Sequence, residues 1–247
     1  MASSSTTSPL WIDLPLLWVA VSYLLGALPF AVWVGRMTGR DPRTGGSHNP
    51  GASNVARTSG VRWGLLTLGF DAAKGALIPY LILSGMLISG EPPSRDMGEL
   101  SLSLSLPEWA ALSGICGVLG HITSPFLNFK GGRGVATALG AMLALHPGIA
   151  GVSIFTWLIT LALTRVAAWA SLIMSASFVL LSQFSHVGHE VSLFALCAAT
   201  LITVRHWGHL KRLIGQGAPA YSALPIPHRT PKPPRRGPKK TRKRRRS

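Results

Sequence analysis

Long apolar blocks dominate the sequence and restrict the folds that are open to it. Residues 14–35 and 63–89, and residues 171–184 with their apolar lead-in, contain few or no charged side chains. Each block is near or above the about 20 residues that a helix needs to cross about 30 Å of hydrocarbon. The sequence therefore predicts an all-α, polytopic integral membrane protein.

Polar breaks divide the apolar sequence into about seven predicted transmembrane helices. Their ranges are 14–35, 63–89, 108–125, 135–147, 149–164, 166–185 and 190–205. The fourth and fifth are short, and Pro147 and Gly148 lie where they meet. A proline there favours a tight hairpin of two incomplete or tilted helices, and one merged long helix is the alternative.

The distribution of charge predicts the orientation. Lys and Arg collect in short cytoplasmic loops of membrane proteins. If the N-terminus is outside, most of the 24 Lys and Arg residues fall in inner segments, Arg57 and Lys130 among them. Most acidic residues, including Glu91 and Glu108, then fall outside. We expect an external N-terminus and a cytoplasmic C-terminus.

Composition divides the chain into three parts: an external segment 1–13, a transmembrane domain 14–220 and a polybasic tail 221–247. The end of the tail, PKPPRRGPKKTRKRRRS, contributes much of the formal net charge of +16. A Pro-rich basic segment cannot bury a core, so we expect it to be disordered. It is suited to anionic lipid headgroups, at about 1 kcal/mol per basic residue near the surface. Nucleic-acid contact is the less favoured alternative.

Three polar segments fall on the predicted cytoplasmic side and are expected to form one site. They are GGSHNPGASNVAR (45–57), NFKGGRGVAT (128–137) and RHWGHLKRLIG (205–215). In the second segment, glycines let backbone N–H groups approach an anion, and a following helix N-terminus adds a favourable dipole. This pattern favours a phosphate-binding loop, with a glycine turn carrying membrane-interface cations as the alternative.

The first polar segment offers hydroxyl and amide donors around Gly51, and Arg57 can bind a phosphate through two nitrogens. The alternative is a capped loop, in which Ser53 or Asn54 caps a short helix that carries Arg57. Asp71 and Lys74 lie three residues apart in the second apolar block, on one helix face. We expect them to neutralise each other, and contact of Lys74 with a substrate phosphate is the alternative.

The residues and order of these motifs closely resemble the bacterial acyl-phosphate:glycerol-3-phosphate acyltransferases. The resemblance rests on S-x-N-x-G-x-x-N followed by Arg57, on GH-x-x-SPF-x-x-F-KGG-x-G-VAT at 120–137, and on RH…RL at 205–213. LGFDAAKGALIP at 68–79 is also similar to the second span of the family. The resemblance extends from about residue 14 to 220. His209 and Ala218 stand where the family usually has Asn and Glu.

The resemblance implies a seven-helix enzyme of the bacterial inner membrane with a cytoplasmic active face. It implies transfer of a fatty acyl group from acyl phosphate to the 1-hydroxyl of glycerol 3-phosphate, without cofactor or metal, to give lysophosphatidic acid and phosphate. The implied catalytic residues are Ser47, Arg57 and His206. The expected substrate-binding residues are Asn49, Gly51, Asn54, Lys74, Lys130, Gly131, Gly132, Arg133, Gly134, Ser171 and His209.

The chemistry of an acyl phosphate agrees with these residue types. The donor is already activated, so the site has to orient two anions and stabilise charge on the carbonyl oxygen. The phosphate of glycerol 3-phosphate can accept the hydroxyl proton while Ser47 and loop N–H groups hold the carbonyl, and His206 is the rival base. No H-x-x-x-x-D motif is present. An anion or phosphate-ester transporter and a catalytically impaired membrane scaffold are the alternative functions.

Overall fold

The computed structural model describes residues 15–88 and 104–216, and the side chains up to residue 208 together with Lys211. These residues are all-α. The helices are α1 (Pro15–Ala27), α2 (Phe30–Met37), α3 (Ala52–Ser59), α4 (Val61–Leu83), α5 (Leu106–Ile122), α6 (Val135–Leu145), α7 (Pro147–Thr164), α8 (Ala167–Phe184) and α9 (His189–Gln216), with a 3-10 turn at Pro125–Leu127. The predicted external segment 1–13 and tail 221–247 lie outside the described residues.

The apolar blocks form helices in the predicted order, and the all-α polytopic membrane fold is confirmed. Six stretches within the described residues are long and apolar enough to span a bilayer: Pro15–Met37, Val61–Leu83, Leu106–Leu127, Pro147–Thr164, Ala167–Phe184 and His189–Gly208. Val135–Leu145 is a shorter apolar helix. Large apolar side chains such as Leu163, 80% exposed, cover the outside of the bundle, as lipid contact requires.

The first predicted span contains two helices, because Pro29 interrupts it. Proline has no N–H and interrupts the helix, so the carbonyls of Ala27 and Leu28 do not receive the N–H groups four residues later that a continuous helix would supply. Two remote side chains supply donors instead: Ser124 Oγ donates to the Ala27 carbonyl at 2.6 Å, and Lys74 Nζ donates to the Leu28 carbonyl at 2.9 Å. These bonds tie the break to α4 and to the turn after α5.

The fourth and fifth predicted spans are separate helices, and the merged-helix alternative is wrong. His146 is extended between them, with φ −152° and ψ 90°, and its Nδ1 accepts the N–H of Ile149 at 3.2 Å. The short α6 packs closely on α4, since a Cβ on Gly140 would collide with the carbonyl oxygen of Ala72. Close approach of backbones through small residues is a common way to pack helices in membranes.

The largest group of buried apolar side chains lies among α5 to α9 and fixes the ends of α6 and α9 near the site. Its fully buried members include Met142, Met174, Phe178, Phe194 and Ile202. Helix α9 has 28 residues and is therefore about 42 Å long, more than the hydrocarbon core needs. The third polar segment, expected to follow the last span, is instead a continuation of the same helix.

Candidate active site

A cavity of about 630 Å³ brings the three polar segments together. The first segment contributes residues 46–49, 51–54 and 57, the second contributes 133–136, and α9 contributes His206. The predicted convergence is therefore confirmed. The lining also has an apolar part, which includes Leu139, Ile154, Trp157, Leu158 and Met174. The cavity thus places donors for an anion next to a surface suited to an alkyl chain.

The loop before α3 is held by the side chain of Asn54, which lies in the first turn of α3 and is 1% exposed. Asn54 Oδ1 accepts the N–H of Ser47 at 2.8 Å, and Nδ2 donates to the carbonyls of Pro42 at 2.7 Å and Gly45 at 3.0 Å. Although Asn54 borders the cavity, both amide hydrogens are used within the loop, so it fits poorly as the predicted substrate donor. The residue before α3 is Gly51, without a side-chain cap, so capping by Ser53 or Asn54 is wrong.

Arg57 and Ser47 keep unused donors in the cavity. Arg57 Nε is buried and has no hydrogen-bond partner among the described residues, and burial lowers the pKa of this guanidinium below its usual value. The Ser47 hydroxyl makes no hydrogen bond within residues 15–88 and 104–208, and Asn49 and Gly51 also line the cavity. A buried charged donor without a partner is costly, and a bound anion would remove that cost.

Gly131 and Gly132 have a different role from the predicted one. Their N–H groups donate to the carbonyls of Ile122 and His121, each at 3.1 Å, and so do not point to a cavity ligand. Their carbonyls accept from Arg205, through Nη2 at 2.8 Å for Gly131 and Nε at 3.2 Å for Gly132. Neither glycine lines the cavity. The two glycines therefore fasten the loop to α5 and α9 instead of holding phosphate.

The cavity-facing part of the second segment begins at Arg133. Arg133, Gly134, Val135 and Ala136 all line the cavity, whereas Lys130 is exposed outside it. Gly134 has φ 81°, a left-handed conformation that glycine adopts without strain, and α6 begins immediately after it. The unpaired N–H groups of the first turn of α6 thus lie at the cavity wall, where the helix dipole favours negative charge.

A buried polar cluster borders the same cavity on α4 and α5. Lys74 Nζ lies 2.9 Å from Asp71 Oδ1, with the two side chains 3% and 2% exposed, and the same oxygen lies 3.7 Å from Nδ1 of His121. Asp71 and His121 line the cavity, whereas Lys74 does not. Lys74 instead donates to Leu28, so its contacts match the expected supporting role. The spacing of Asp71 and Lys74, and the position of His121 within the GH motif, were the sequence signals for this cluster.

His206 lies on α9 with 1% of its surface exposed, and it lines the cavity. Its Nδ1 lies 2.8 Å from the Ile202 carbonyl, and because a carbonyl only accepts, Nδ1 carries the hydrogen. In the neutral ring Nε2 is then the basic nitrogen. Ser171 also lines the cavity, and its hydroxyl donates to the Ala167 carbonyl at 2.8 Å. The side chain of His209 lies outside the described residues.

The site combines cationic and hydrogen-bond donors with few bases. In the described part of the chain, no group of three His, Cys, Asp or Glu side chains is placed to hold a metal ion. Arg205 is a residue that the sequence interpretation missed, although it directly precedes His206. The arrangement can bind an anionic head group beside an apolar chain and can stabilise negative charge that develops between them.

Comparisons with known proteins agree with this arrangement. A family described as glycerol-3-phosphate acyltransferase matches residues 16–216. The glycerol-3-phosphate acyltransferase of Pseudomonas syringae pv. syringae (strain B728a) is 40% identical over 196 residues, which are 78% of this chain and 91% of the relative. That of Desulfotalea psychrophila (strain LSv54 / DSM 12343) is 36% identical over 194 residues, again 78% and 91%.

Two crystal structures of PlsY (YgiH), an integral membrane glycerol 3-phosphate acyltransferase, have similar folds. The glycerol 3-phosphate form gives a TM-score of 0.71 at 30% identity, covering 82% of this chain and 93% of that one. The lysophosphatidic acid form gives 0.70 at the same identity and coverage. The chain therefore belongs to the glycerol-3-phosphate acyltransferase family.

Proposed function

We propose that the protein transfers a fatty acyl group from acyl phosphate to the 1-hydroxyl of glycerol 3-phosphate, giving lysophosphatidic acid and inorganic phosphate for phospholipid synthesis. The observation that carries this proposal is the cavity that joins Arg57 and Ser47 to an apolar wall. Both reactants are anionic, and one has a long alkyl chain. The glycerol 3-phosphate and lysophosphatidic acid forms of the similar PlsY structures support the proposed acceptor and the proposed product.

The proposed step is a single acyl transfer. The hydroxyl oxygen of glycerol 3-phosphate attacks the carbonyl carbon of acyl phosphate, and the bond from that carbon to the phosphate oxygen breaks. The phosphate leaves with the electron pair, and the hydroxyl proton passes to a base. Because the donor is a mixed anhydride with a good leaving group, the step needs no covalent enzyme intermediate. The protein has to align the reactants and stabilise the carbonyl oxygen.

The described residues divide these tasks. Arg57 binds a phosphate group through its partly buried guanidinium, whose Nε has no hydrogen-bond partner among the described residues. The Ser47 hydroxyl and the first-turn N–H groups of α6 donate to the carbonyl oxygen as charge develops on it. Since Gly131 and Gly132 donate to α5, they are not part of this set. The proposed oxyanion site is therefore smaller than the whole KGGRG loop.

The base in this proposal is the phosphate of glycerol 3-phosphate, and His206 contributes hydrogen bonding. His206→Gln separates the two possibilities, because glutamine keeps hydrogen-bonding groups but takes up no proton near neutral pH. We expect kcat to fall by about 10-fold or less, without loss of the acidic limb of the pH profile. A fall of about 10²- to 10⁴-fold with unchanged KM would make His206 the base instead.

The donor and the acceptor can be tested directly. Purified protein in lipid vesicles, given acyl phosphate and glycerol 3-phosphate, should release phosphate and lysophosphatidic acid in equal amounts. Acyl-CoA in place of acyl phosphate should give no product. Folded protein that binds both substrates without turnover would contradict the proposal and favour a non-catalytic scaffold.

We place the protein in the bacterial inner membrane with the cavity and the C-terminus on the cytoplasmic side. The Lys and Arg distribution supports this orientation. The polybasic tail, which lies outside the described residues, would then meet anionic headgroups. The orientation can be tested with the substitutions Met37→Cys and Ser84→Cys, each made at an exposed position in a chain from which Cys116 and Cys197 have been removed. An impermeant maleimide should label position 84 in intact spheroplasts but position 37 only after permeabilisation, and the reverse result would invert the orientation.

A further inference from the structure

We propose that Arg205 is a positioning residue that holds the loop at 130–134 and α9 in register across the cavity. Its guanidinium donates to two consecutive carbonyls, those of Gly131 and Gly132, at 2.8 and 3.2 Å. Arg205 does not line the cavity itself. Its contribution to the proposed acyl transfer is therefore indirect, and the inference rests on that function.

The loop is fixed on both edges of its backbone. On one edge, the N–H groups of Gly131 and Gly132 bond to the last carbonyls of α5. On the other edge, their carbonyls bond to Arg205. A Cβ on Gly131 would collide with the carbonyl oxygen of His121, which shows how closely the loop lies against α5. Both glycines thus have their backbone groups fully paired, which is the condition for an ordered buried loop.

Arg205 and the glycines that it contacts are next to cavity-lining residues in the sequence. Arg205 directly precedes His206 on α9, and Gly132 directly precedes Arg133 in the loop. His206 and Arg133 both line the cavity. One side chain therefore links two cavity walls that are 73 to 74 residues apart in the chain. Release of this link would let the two walls move relative to each other while every cavity-lining residue is still present.

Arginine is suited to this link because its planar guanidinium presents several donors in a fixed geometry. A lysine ammonium keeps the charge but does not reproduce the fork. A misplacement of about 1 Å can lower a rate by about 10²-fold. We therefore expect Arg205→Ala to lower kcat/KM by about 10²-fold, mainly through kcat, and Arg205→Lys to recover part of the loss. Arg62→Ala, at an exposed arginine on α4, is the matched control and should leave kcat/KM unchanged.

A double-mutant cycle tests whether Arg205 acts through the loop. If it positions Arg133, then adding Arg205→Ala to Arg133→Ala should lower kcat/KM by much less than it does in the unmutated protein. Fully additive losses, or wild-type kinetics in folded Arg205→Ala protein, would overturn the inference. Arg205→Gln, which retains one amide donor, provides the cycle if the alanine variant does not fold.

Hydrogen exchange separates this inference from the proposed function, because it does not depend on turnover. Amide exchange in the peptide that covers 128–134 should be slow in the unmutated protein and at least 10-fold faster in Arg205→Ala, with Arg62→Ala unchanged. Unchanged exchange in Arg205→Ala would overturn the inference even if the enzyme is active. Faster exchange in a protein without acyl transfer would keep the link and reject the proposed function.

Discussion

The two loops that border the cavity are held in opposite ways. The loop before α3 is held by Asn54, which lies in the first turn of that helix and whose three bonds reach back no more than 12 residues. The loop before α6 depends on α5 and on Arg205, which is 73 to 74 residues further along the chain. The first loop can keep its shape when the helices of the bundle move relative to each other. The conformation of the second loop depends on the relative position of α5 and α9.

Arg57 and Arg205 differ in the same way, because their guanidinium groups have different hydrogen-bond partners. Arg57 has a buried Nε without a partner among the described residues, whereas Arg205 donates hydrogen bonds to backbone carbonyls. One arginine is suited to a ligand and the other to a structural link. Residues of the same type, next to the same cavity, are therefore expected to fail differently when they are replaced.

The largest expected effect is that of Arg57→Ala. Loss of charge-assisted hydrogen bonds to a phosphate should lower kcat/KM by about 10³-fold with little change in folding. Steady-state kinetics with acyl phosphate and glycerol 3-phosphate measures this loss, and Arg62→Ala is the control. If Arg57→Ala lowers kcat/KM no more than Arg205→Ala does, the distinction between a ligand-binding arginine and a structural arginine is contradicted.

Gly131→Ala and Gly45→Ala compare the two loops directly. A Cβ on Gly131 would meet backbone carbonyls of α5, so we expect a loss of about 3 kcal/mol in the free energy of unfolding. A Cβ on Gly45 would find its nearest atom, Thr58 Cγ2, at an ordinary 3.5 Å. Thermal unfolding in detergent measures both. Equal destabilisation by the two variants would show that the loops are equally constrained.

Asn54→Asp tests the internal link of the first loop. Aspartate still accepts the Ser47 N–H but loses both donors to Pro42 and Gly45, and it brings a carboxylate up to their carbonyls. We expect a loss of about 2 kcal/mol in the free energy of unfolding. Amide exchange should rise in residues 42–54 and stay unchanged in 128–134. A rise in both loops would contradict the independence of the first loop.

The smallest effect is expected at the partly exposed pair of Asp41 and Arg43. The hydrogen bond from the Arg43 side chain lowers the pKa of Asp41 from 3.8 to about 2. Because the pKa is lower in the folded state, the pair contributes stability above about pH 4 and loses it as the pH falls toward 2. Solvent screening limits the effect of Asp41→Asn to less than about 1 kcal/mol. The difference in melting temperature between the variant and the unmutated protein should become smaller as the pH falls from about 4 toward 2. A difference that stays constant over this range would show that the ion pair does not cause it.

The sequence predicted the features that depend on local pattern. Apolar length indicated each membrane block, and Gly, Ser and Asn around Arg57 indicated a polar loop, with a short helix carrying Arg57 in the alternative interpretation. The family resemblance added the order of the motifs. Bonds between remote segments were not predictable, since nothing near Leu28 indicates that Lys74, 46 residues away, donates to its carbonyl. For the same reason, the pattern of residues 130–134 suggested free N–H groups, and the carbonyls of α5 that occupy them were not foreseen.

The break at Leu28 and Pro29 has a consequence for how this chain can change. A buried lysine in a membrane helix is tolerated here because the interrupted helix supplies an acceptor for it. Replacing Pro29 with a residue that restores the helix would withdraw that acceptor and leave the ammonium with Asp71 alone. Replacing Lys74 would leave the carbonyl with the N–H of Phe30, which it accepts at 3.0 Å. The lysine therefore depends on the proline more than the proline depends on the lysine, and a chain that restores the helix at position 29 is expected to lose Lys74 as well.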